Sequence, residues 1–286
     1  MRHLTRAGTG FDPGLVHGES VFPPVIGHRG AAACAPENTL AGLRKAKALG
    51  CRWVEFDVRL TADRQVILLH DSRLERTTDG RGKVIALSLA AVRRFDAGGW
   101  FGPSFVGERV PTLEEAVMLL AELGIGANVE LKAARGREAE TGAVAADLLA
   151  RLWPSELPAP LISSFLPAAL AAAQAYAPGI GRGMLFRVIP KNWRALAESL
   201  GCATIHADHR RLRPAVVAEI RESGYSLLAY TVNDPGRANT LFDWGVTSVF
   251  SDVPQCLHDA AARGGFHQPT AADANSAGMP RQGSVW

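Results

Sequence analysis

The sequence predicts an α/β protein, a (β/α)8 TIM barrel with a small insertion after its second strand. Short apolar runs alternate with helix-like segments along the chain. Eight such pairs span about 240 residues, close to the roughly 250 residues typical of this barrel. Chemically active side chains also collect where the apolar runs end, which is where barrel active sites lie. An open doubly wound sheet is the alternative, but the sequence has no GxGxxG turn opening a helix.

The predicted strands are short apolar runs without strict alternation, as expected of strands covered on both faces. They are 24–28, 52–58, 126–131, 160–163, 180–185, 203–206, 226–230 and 247–250. The helices predicted between them are 39–49, 112–123, 137–152, 167–176, 191–200, 213–223, 235–243 and 254–262. Thr39 and Thr112 stand where N-caps are expected, and Gly124 is placed to end the second helix.

Composition divides the chain into three parts. Residues 1–22 form a polar lead that contains Gly and Pro, and residues 23–262 form the barrel. Within the barrel, about 71–110 is rich in Gly and charge, and a connection this long is usually functional. We expect it to form a small subdomain over the barrel mouth. Residues 263–286 are rich in Gly, Ala, Pro and Ser, so we expect a disordered tail.

Charge and hydropathy narrow the classes of function. The net charge of +3 is small and the basic residues are scattered, so no nucleic-acid footprint is present. The four cysteines lack CxxC spacing, which favours free thiols in a reducing compartment. Without a secretory h-region or a run of membrane-spanning length, we expect a cytoplasmic protein with no stable membrane insertion. The oligomeric state stays open.

Two pairs of charged residues repeat the same spacing. Glu55 and Asp57 occupy positions i and i+2 of one predicted strand, and Glu130 and Lys132 do so on the next. Residues two apart in a strand share a face, so three carboxylates and one ammonium converge. Any one of these pairs, taken alone, is explained as surface residues at a strand end that form ion pairs with arginines. Together they favour a hard divalent cation, Mg²⁺ or Ca²⁺, because the ligands are all oxygens.

Two histidines lie close to this acidic group in the predicted barrel. His28 and His70 each end an apolar run, and histidine titrates near neutrality, so they can act as general acid and base. Arg29 and Lys132 add cations that suit a phosphate. The set is typical of phosphoryl chemistry, and no GxSxG, HExxH or P-loop motif is present. His206 is a weaker candidate at a strand end, and His209 is expected to be solvated.

The motifs resemble those of one family in order and content. HRGAAACAPENTL, VEFDV and LLHDSRLERTTDG are similar to motifs of the glycerophosphodiester phosphodiesterases. DAGGWFGPSFVGERVPTLEEA, NVELK, SSF, YTVND and GVTSVFSDVP extend the resemblance over residues 25–255. The short cytosolic bacterial enzymes are the members that the chain resembles most.

The resemblance implies the same barrel and insertion, and hydrolysis of glycerophosphodiesters to sn-glycerol 3-phosphate and an alcohol. It also implies a role for each motif residue: metal ligands Glu55, Asp57 and Glu130; acid/base residues His28 and His70; phosphate contacts Arg29 and Lys132. In the mechanism usual for the family, the glycerol 2-hydroxyl attacks phosphorus, and water then opens the cyclic phosphate. Which histidine is the acid and which the base stays open.

One motif departs from the family pattern. Many members have Trp-Thr-Val-Asn where this chain has Tyr230-Thr-Val-Asn233. We expect Tyr230, Asn233 and Phe250 to contact the substrate, with Trp100 as a further aromatic candidate. Two alternatives follow: a lysophospholipase D, which needs an apolar groove near the insertion or the 186–192 loop, and a non-catalytic barrel that only binds a phosphodiester. Retention of the whole catalytic set argues against the second.

Overall fold

Eight parallel strands form a closed barrel in the computed structural model, which describes residues 22–264. The strands of these residues are β1 Val25–Gly27, β2 Trp53–Leu60, β3 Val66–Leu68, β4 Gly126–Leu131, β5 Leu161–Ser164, β6 Gly181–Phe186, β7 Thr204–Asp208, β8 Ser226–Tyr230 and β9 Ser248–Ser251. The ring runs β1-β2-β4-β5-β6-β7-β8-β9, and β1 pairs with both β2 and β9, which closes it. The predicted (β/α)8 fold is confirmed.

Helices connect the barrel strands and cover their outer side. They are α1 Leu40–Ala48, α2 Leu89–Val92, α3 Leu113–Leu123, α4 Glu138–Leu152, α5 Pro167–Tyr176, α6 Trp193–Ser199, α7 Pro214–Glu222, α8 Pro235–Asp243 and α9 Pro254–Ala262. The hydroxyl of Thr39 accepts a hydrogen bond from the backbone of Gly42 at the start of α1. Thr112 and Glu115 form a capping box on α3, which ends at Gly124 with φ +64°. These caps satisfy backbone groups that the helices leave free.

Alternation along the strands separates the lumen from the outer layer. Buried apolar side chains between strands and helices form the larger core, and a smaller cluster fills the lumen: Ile26, Trp53, Leu161, Leu228 and Phe250. Since every second residue of a strand points inward, Glu55, Asp57 and Glu130 extend this lumen face toward the carboxyl ends of their strands. The charged residues therefore lie together at the carboxyl ends of the strands, above the apolar cluster that fills the lumen.

The insertion begins with a strand that the list of predicted strands omits. β3 pairs antiparallel with β2, so the run before His70 forms a hairpin partner and stays outside the barrel ring. β2 accordingly continues to Leu60, two residues beyond its predicted end. From β3 to Val110 the segment has an apolar core of its own, which includes Ile67, Leu74 and Val92. It contains α2 and two 3₁₀ turns, at 84–86 and 103–105.

The predicted lead (1–22) and tail (263–286) lie almost entirely outside the described residues. Within residues 22–264, no helix has both the length and the apolar character needed to cross a bilayer. All four cysteines are free thiols.

Candidate active site

The first βα turn places His28 and Arg29 in a tight, strained loop. Arg29 has φ +50°, an uncommon conformation for a residue with a side chain. Its backbone N–H donates to Glu55 Oε2 at 2.9 Å. Gly30 has φ +89°, and a Cβ at this position would lie 2.6 Å from the backbone of Gly42. The glycine therefore allows the loop to pack directly against α1.

Three carboxylates meet in the lumen beside this turn. Ligand oxygens of Glu55, Asp57 and Glu130 lie within 4.8 Å of one another. All three residues are buried, with no more than 7% of their surface exposed. Asp57 and Glu130 face each other directly in the β2–β4 register. Glu55 Oε1 is buried without a hydrogen-bond partner among the described residues.

Two cations partly balance the three carboxylates. Lys132 Nζ lies 2.5 Å from Glu130 Oε1 and 3.4 Å from Asp57 Oδ1. Arg29 Nε lies 3.3 Å from Asp57 Oδ2. If all five groups were ionised, one negative charge would remain unbalanced in a buried site, which is costly without a further cation.

The three carboxyl groups of the triad therefore have different pKa values. Burial raises the pKa of Asp57, but Arg29 and Lys132 outweigh this effect and lower it to about 2. Burial and repulsion by the other two carboxylates raise the pKa of Glu55 well above its usual range. Burial, opposed by Lys132, raises the pKa of Glu130 to about 7. Such separation is typical of functional sites.

Asn38 anchors Asp57 from the loop before α1. Its side-chain amide donates to Asp57 Oδ2 at 2.9 Å, and its side-chain oxygen accepts from the Asp57 backbone at 3.0 Å. Asn38 has φ +56°, a region that asparagine tolerates better than most residues. The two bonds fix the central carboxylate of the cluster.

His28 is oriented by a carboxylate from the last barrel strand. Its Nδ1 lies 2.6 Å from Asp252 Oδ1, which leaves Nε2 at 3.8 Å from Glu55 Oε2. Asn233 holds Asp252 in turn, through a 2.8 Å bond to Oδ2 and a 2.9 Å bond from the Asp252 backbone. Burial raises the pKa of Asp252, but the hydrogen bonds and charge of His28, Asn233 and Arg29 together outweigh this effect, so the pKa is lowered.

His70 is oriented by its sequence neighbour. Its Nδ1 lies 2.6 Å from Asp71 Oδ1, and Arg76 Nε donates to Asp71 Oδ2 at 2.8 Å. Arg76 also donates to both oxygens of Glu37, at 2.7 and 2.8 Å. Glu37 accepts a further bond from Arg29 Nη1 at 2.8 Å. An unbroken chain of ion pairs therefore joins the insertion to the first βα loop.

Solvent exclusion is the main influence on the His70 ring. Burial lowers the pKa of His70, and the positive charges of Arg29 and Lys132 act in the same direction. Asp57 and the bond to Asp71 oppose this change. Arg59 fixes the backbone here, donating to the His70 carbonyl at 2.9 and 2.6 Å.

The predicted aromatic contacts have different surroundings. The Tyr230 hydroxyl donates to the Phe186 carbonyl at 2.9 Å, and its ring packs edge-on against Phe165 at 5.9 Å. Lys132 Nζ lies 5.5 Å from the centre of the Phe165 ring. Phe250 is 2% exposed in the lumen cluster, whereas Trp100 is 43% exposed in the insertion. Phe165, which was not among the predicted site residues, therefore contacts both Lys132 and Tyr230.

The two weaker histidine candidates have other surroundings than His28 and His70. His206 is fully buried in the lumen, where its Nε2 lies 2.9 Å from Thr204 Oγ1 and burial lowers its pKa to about 3. His209 is half-buried against Arg237, whose guanidinium donates to its Nδ1 at 3.3 Å, rather than free in solvent.

Among the residues that support the site, several carry no role in the sequence-based prediction, including Glu37, Asn38, Arg76 and Asp252. Each of these four lies inside a motif quoted for the resemblance, so their position in APENTL, ERTTDG or FSDVP was the available signal. Their partners are distant along the chain, as with His28 and Asp252, which are separated by 224 residues. Spacing alone therefore could not pair them.

Comparison with known proteins agrees with this geometry. The model of the "Glycerophosphoryl diester phosphodiesterase family" matches residues 28–256. A glycerophosphodiester phosphodiesterase of Caldanaerobacter subterraneus is 30% identical over 242 residues, which cover 84% of this chain and 98% of that protein. One from Bacillus subtilis is 31% identical over 250 residues, covering 82% of this chain and 84% of that protein.

A solved structure is similar over the same region. A phosphodiesterase of Oleispira antarctica, determined in complex with the product sn-glycerol-3-phosphate, is 41% identical with a TM-score of 0.82. The match covers 84% of this chain and 97% of that one. The barrel, the motifs in order and these relatives together show that the chain belongs to the glycerophosphoryl diester phosphodiesterase family and is a phosphoric diester hydrolase.

Proposed function

We propose that the chain hydrolyses glycerophosphodiesters to sn-glycerol 3-phosphate and an alcohol, using a divalent cation and two histidines. One observation carries the proposal: two histidines, each held by a carboxylate at Nδ1, accompany a buried carboxylate triad with two cations. The product bound to the Oleispira antarctica relative supports the same substrate class.

The carboxylate triad fits a hard cation. Glu55, Asp57 and Glu130 supply only oxygens, which favours Mg²⁺ or Ca²⁺ over zinc. The unpartnered Glu55 Oε1, and the negative charge that the fully ionised group would carry, support the binding of a cation here. When bound, the cation supplies Lewis-acid polarisation of the phosphoryl group.

The histidines move the protons. With Nδ1 hydrogen-bonded to a carboxylate, each ring keeps Nε2 for proton transfer. The neutral ring of one histidine accepts the proton of the glycerol 2-hydroxyl as that oxygen attacks phosphorus. The protonated ring of the other donates to the departing alcohol oxygen as its bond to phosphorus breaks. Water then opens the cyclic phosphate, and the two rings exchange roles.

Arg29 and Lys132 bind the phosphate in this proposal, since both cations border the triad. Tyr230 contributes its ring to the wall of the site, because its hydroxyl is bonded to a backbone carbonyl. Asn233 acts through Asp252, and Phe250 supports the floor from below.

A lysophospholipase D is the second candidate function. Val106 of the insertion and Val188 of the 186–192 loop are 69% and 60% exposed, so both segments offer some apolar surface. A lysophospholipid would need these surfaces to join into a groove for its acyl chain.

A coupled assay for glycerol 3-phosphate, run beside assays for released choline and lysophosphatidate, tests both candidates. The panel contains glycerophosphocholine, glycerophosphoethanolamine and lysophosphatidylcholine, each with and without EDTA. We expect release from the first two, loss in EDTA, and recovery with Mg²⁺ or Ca²⁺. Release of choline and lysophosphatidate from lysophosphatidylcholine alone would support the second candidate, and full activity in EDTA would refute the metal.

Histidine variants test the proton transfers. His28→Ala and His70→Ala should each lower kcat by about 10²–10⁴-fold, the usual contribution of a general acid or base. His258→Ala is the matched control, because His258 lies on α9 and, within the described part of the chain, its ring is hydrogen-bonded to the Leu49 carbonyl alone. A catalytic variant within tenfold of the unmodified enzyme would exclude that histidine from the mechanism.

A further inference from the structure

A cleft opens on the insertion side of the candidate active site. Its volume is about 560 Å³, within the 300–1,000 Å³ usual for small-molecule sites. The walls come from the outer end of β2, the insertion and the β4–α4 loop. Lys132 lines this cleft and also contacts Glu130, so one side chain borders both the cleft and the carboxylate triad.

The charge of the cleft has one sign. Arg59, Lys83, Lys132 and Arg135 line it, and no aspartate or glutamate of residues 22–264 does. Lys132 is paired with the triad, but the other three cations have no carboxylate within 4.0 Å among residues 22–264. Glu138 influences Arg135 electrostatically but does not line the cleft.

Arg59 is the most informative of these cations. It is only partly exposed, and its hydrogen bonds go to the backbone carbonyls of His70 and Lys132. Asp57, Asp71 and Glu130 act on its charge electrostatically, but no carboxylate among residues 22–264 forms an ion pair with it. A partly buried guanidinium without an adjacent carboxylate favours an anion in the neighbouring space.

We propose that this cationic cleft (Arg59, Lys83, Lys132 and Arg135) binds a second anionic group, carried by the alcohol that leaves. The inference rests on the proposed function: a phosphodiester bound at Lys132 would extend its alcohol into the cleft. The preferred substrates are then glycerophosphodiesters of a phosphorylated polyol, and cationic alcohols such as choline are disfavoured there. Lys83 and Arg135 are exposed on its rim and recognise the second phosphate.

Two substrates that differ only in the second phosphate provide the test. The kcat/KM values for glycerophosphoinositol 4-phosphate and glycerophosphoinositol are compared at low salt, with glycerol 3-phosphate as the measured product. We expect the phosphorylated diester to be preferred at least about 4-fold, from two rim contacts of the strength of exposed ion pairs. The preference should weaken as salt is added. Equal kcat/KM values for the two diesters would overturn the proposal.

Variants of the two rim residues test whether the preference for the phosphorylated diester comes from the cleft. Lys83→Ala and Arg135→Ala should each lower kcat/KM for the phosphorylated diester by about 2- to 5-fold, the effect of one exposed ion pair. Their values for glycerophosphoinositol should not change. Lys45→Ala is the control, because Lys45 is an exposed cation on α1, outside the cleft. Equal losses on both substrates would refute an anion subsite.

A binding measurement separates this proposal from the proposed function. Calorimetric titration of the full chain with inositol 4-phosphate needs no turnover. We expect binding by the unmodified chain and weaker binding by the double variant Lys83→Glu/Arg135→Glu. Binding without hydrolysis of any diester would refute the proposed function and support the cationic cleft. Hydrolysis without binding would support the proposed function and refute the cationic cleft.

Discussion

Asp252→Asn removes the charge that orients His28 and preserves the shape of the side chain. Asp252 contacts two hydrogen-bond donors, His28 Nδ1 at 2.6 Å and Asn233 Nδ2 at 2.8 Å. The asparagine amide has only one oxygen, so its nitrogen must face one of these donors. The variant therefore loses both the charge and one hydrogen bond, and it favours the wrong His28 tautomer.

The size of the effect follows from burial and distance. Two unit charges about 4 Å apart interact by about 1 kcal/mol in water and about 4 kcal/mol near a protein surface. The Asp252 side chain is 26% exposed and that of His28 16%, so the pair lies between these limits. A loss of about 1.4–4 kcal/mol in the transition state corresponds to a 10- to 10³-fold lower kcat.

The assay measures kcat and KM for glycerophosphocholine together with the melting temperature. We expect kcat to fall and KM to change little, because Asp252 acts through His28. Asp259→Asn, the same change at an exposed position on α9, should leave both constants unchanged. A kcat of Asp252→Asn within 3-fold of the unmodified enzyme, at an unchanged melting temperature, would refute the orienting role.

Two further predictions concern the carboxylates and the insertion. The pKa of Glu130 is raised to about 7 in the folded chain. Without metal, Glu130 therefore keeps its proton in the folded state at pH values where it has lost it in the unfolded state. This difference stabilises the folded state, and the stabilisation is lost as pH rises through about 7. The melting temperature in EDTA should fall from pH 5 to pH 8, and Mg²⁺ or Ca²⁺ should raise it more at pH 8 than at pH 5. Glu130→Gln should weaken this dependence of the melting temperature on pH. An unchanged pH dependence in that variant would contradict the assignment of the effect to Glu130. Arg76→Ala should lower kcat by about 3- to 10-fold, since a half-exposed pair with Asp71 contributes about 1 kcal/mol. Arg73→Ala, which removes only an exposed pair with Glu75, is the control, and equal effects of the two variants would argue against a role for Arg76 in positioning His70.

The sequence predicts the barrel and the charged group for the same physical reason. Strands covered on both faces must be apolar, so a carboxylate such as Glu55 or Glu130 within such a run stands out. Parallel strands also end at one rim, which brings these residues together without knowledge of the packing. The triad and its two cations could therefore be placed from the linear pattern.

The supporting contacts depend on pairings that the linear pattern does not contain. A buried run of three residues is compatible with a barrel strand or a hairpin partner, and only the register with β2 assigns β3 to the second. Asn233 was predicted to contact the substrate and lies in the YTVND motif that carries the family resemblance. In the structure it is hydrogen-bonded to Asp252, a contact that joins two neighbouring loops and that the linear pattern does not contain.

The pairing of β1 with β9 brings Asp252 to His28, but the three carboxylates of the triad meet without it. A fragment that ends after α4 would retain Glu55, Asp57 and Glu130, and with them every proposed ligand of the cation. It would lack Asp252, so its His28 would be free to rotate. The proposed cation ligands therefore all come from the first half of the barrel, whereas the orientation of His28 depends on the pairing of the two ends of the barrel.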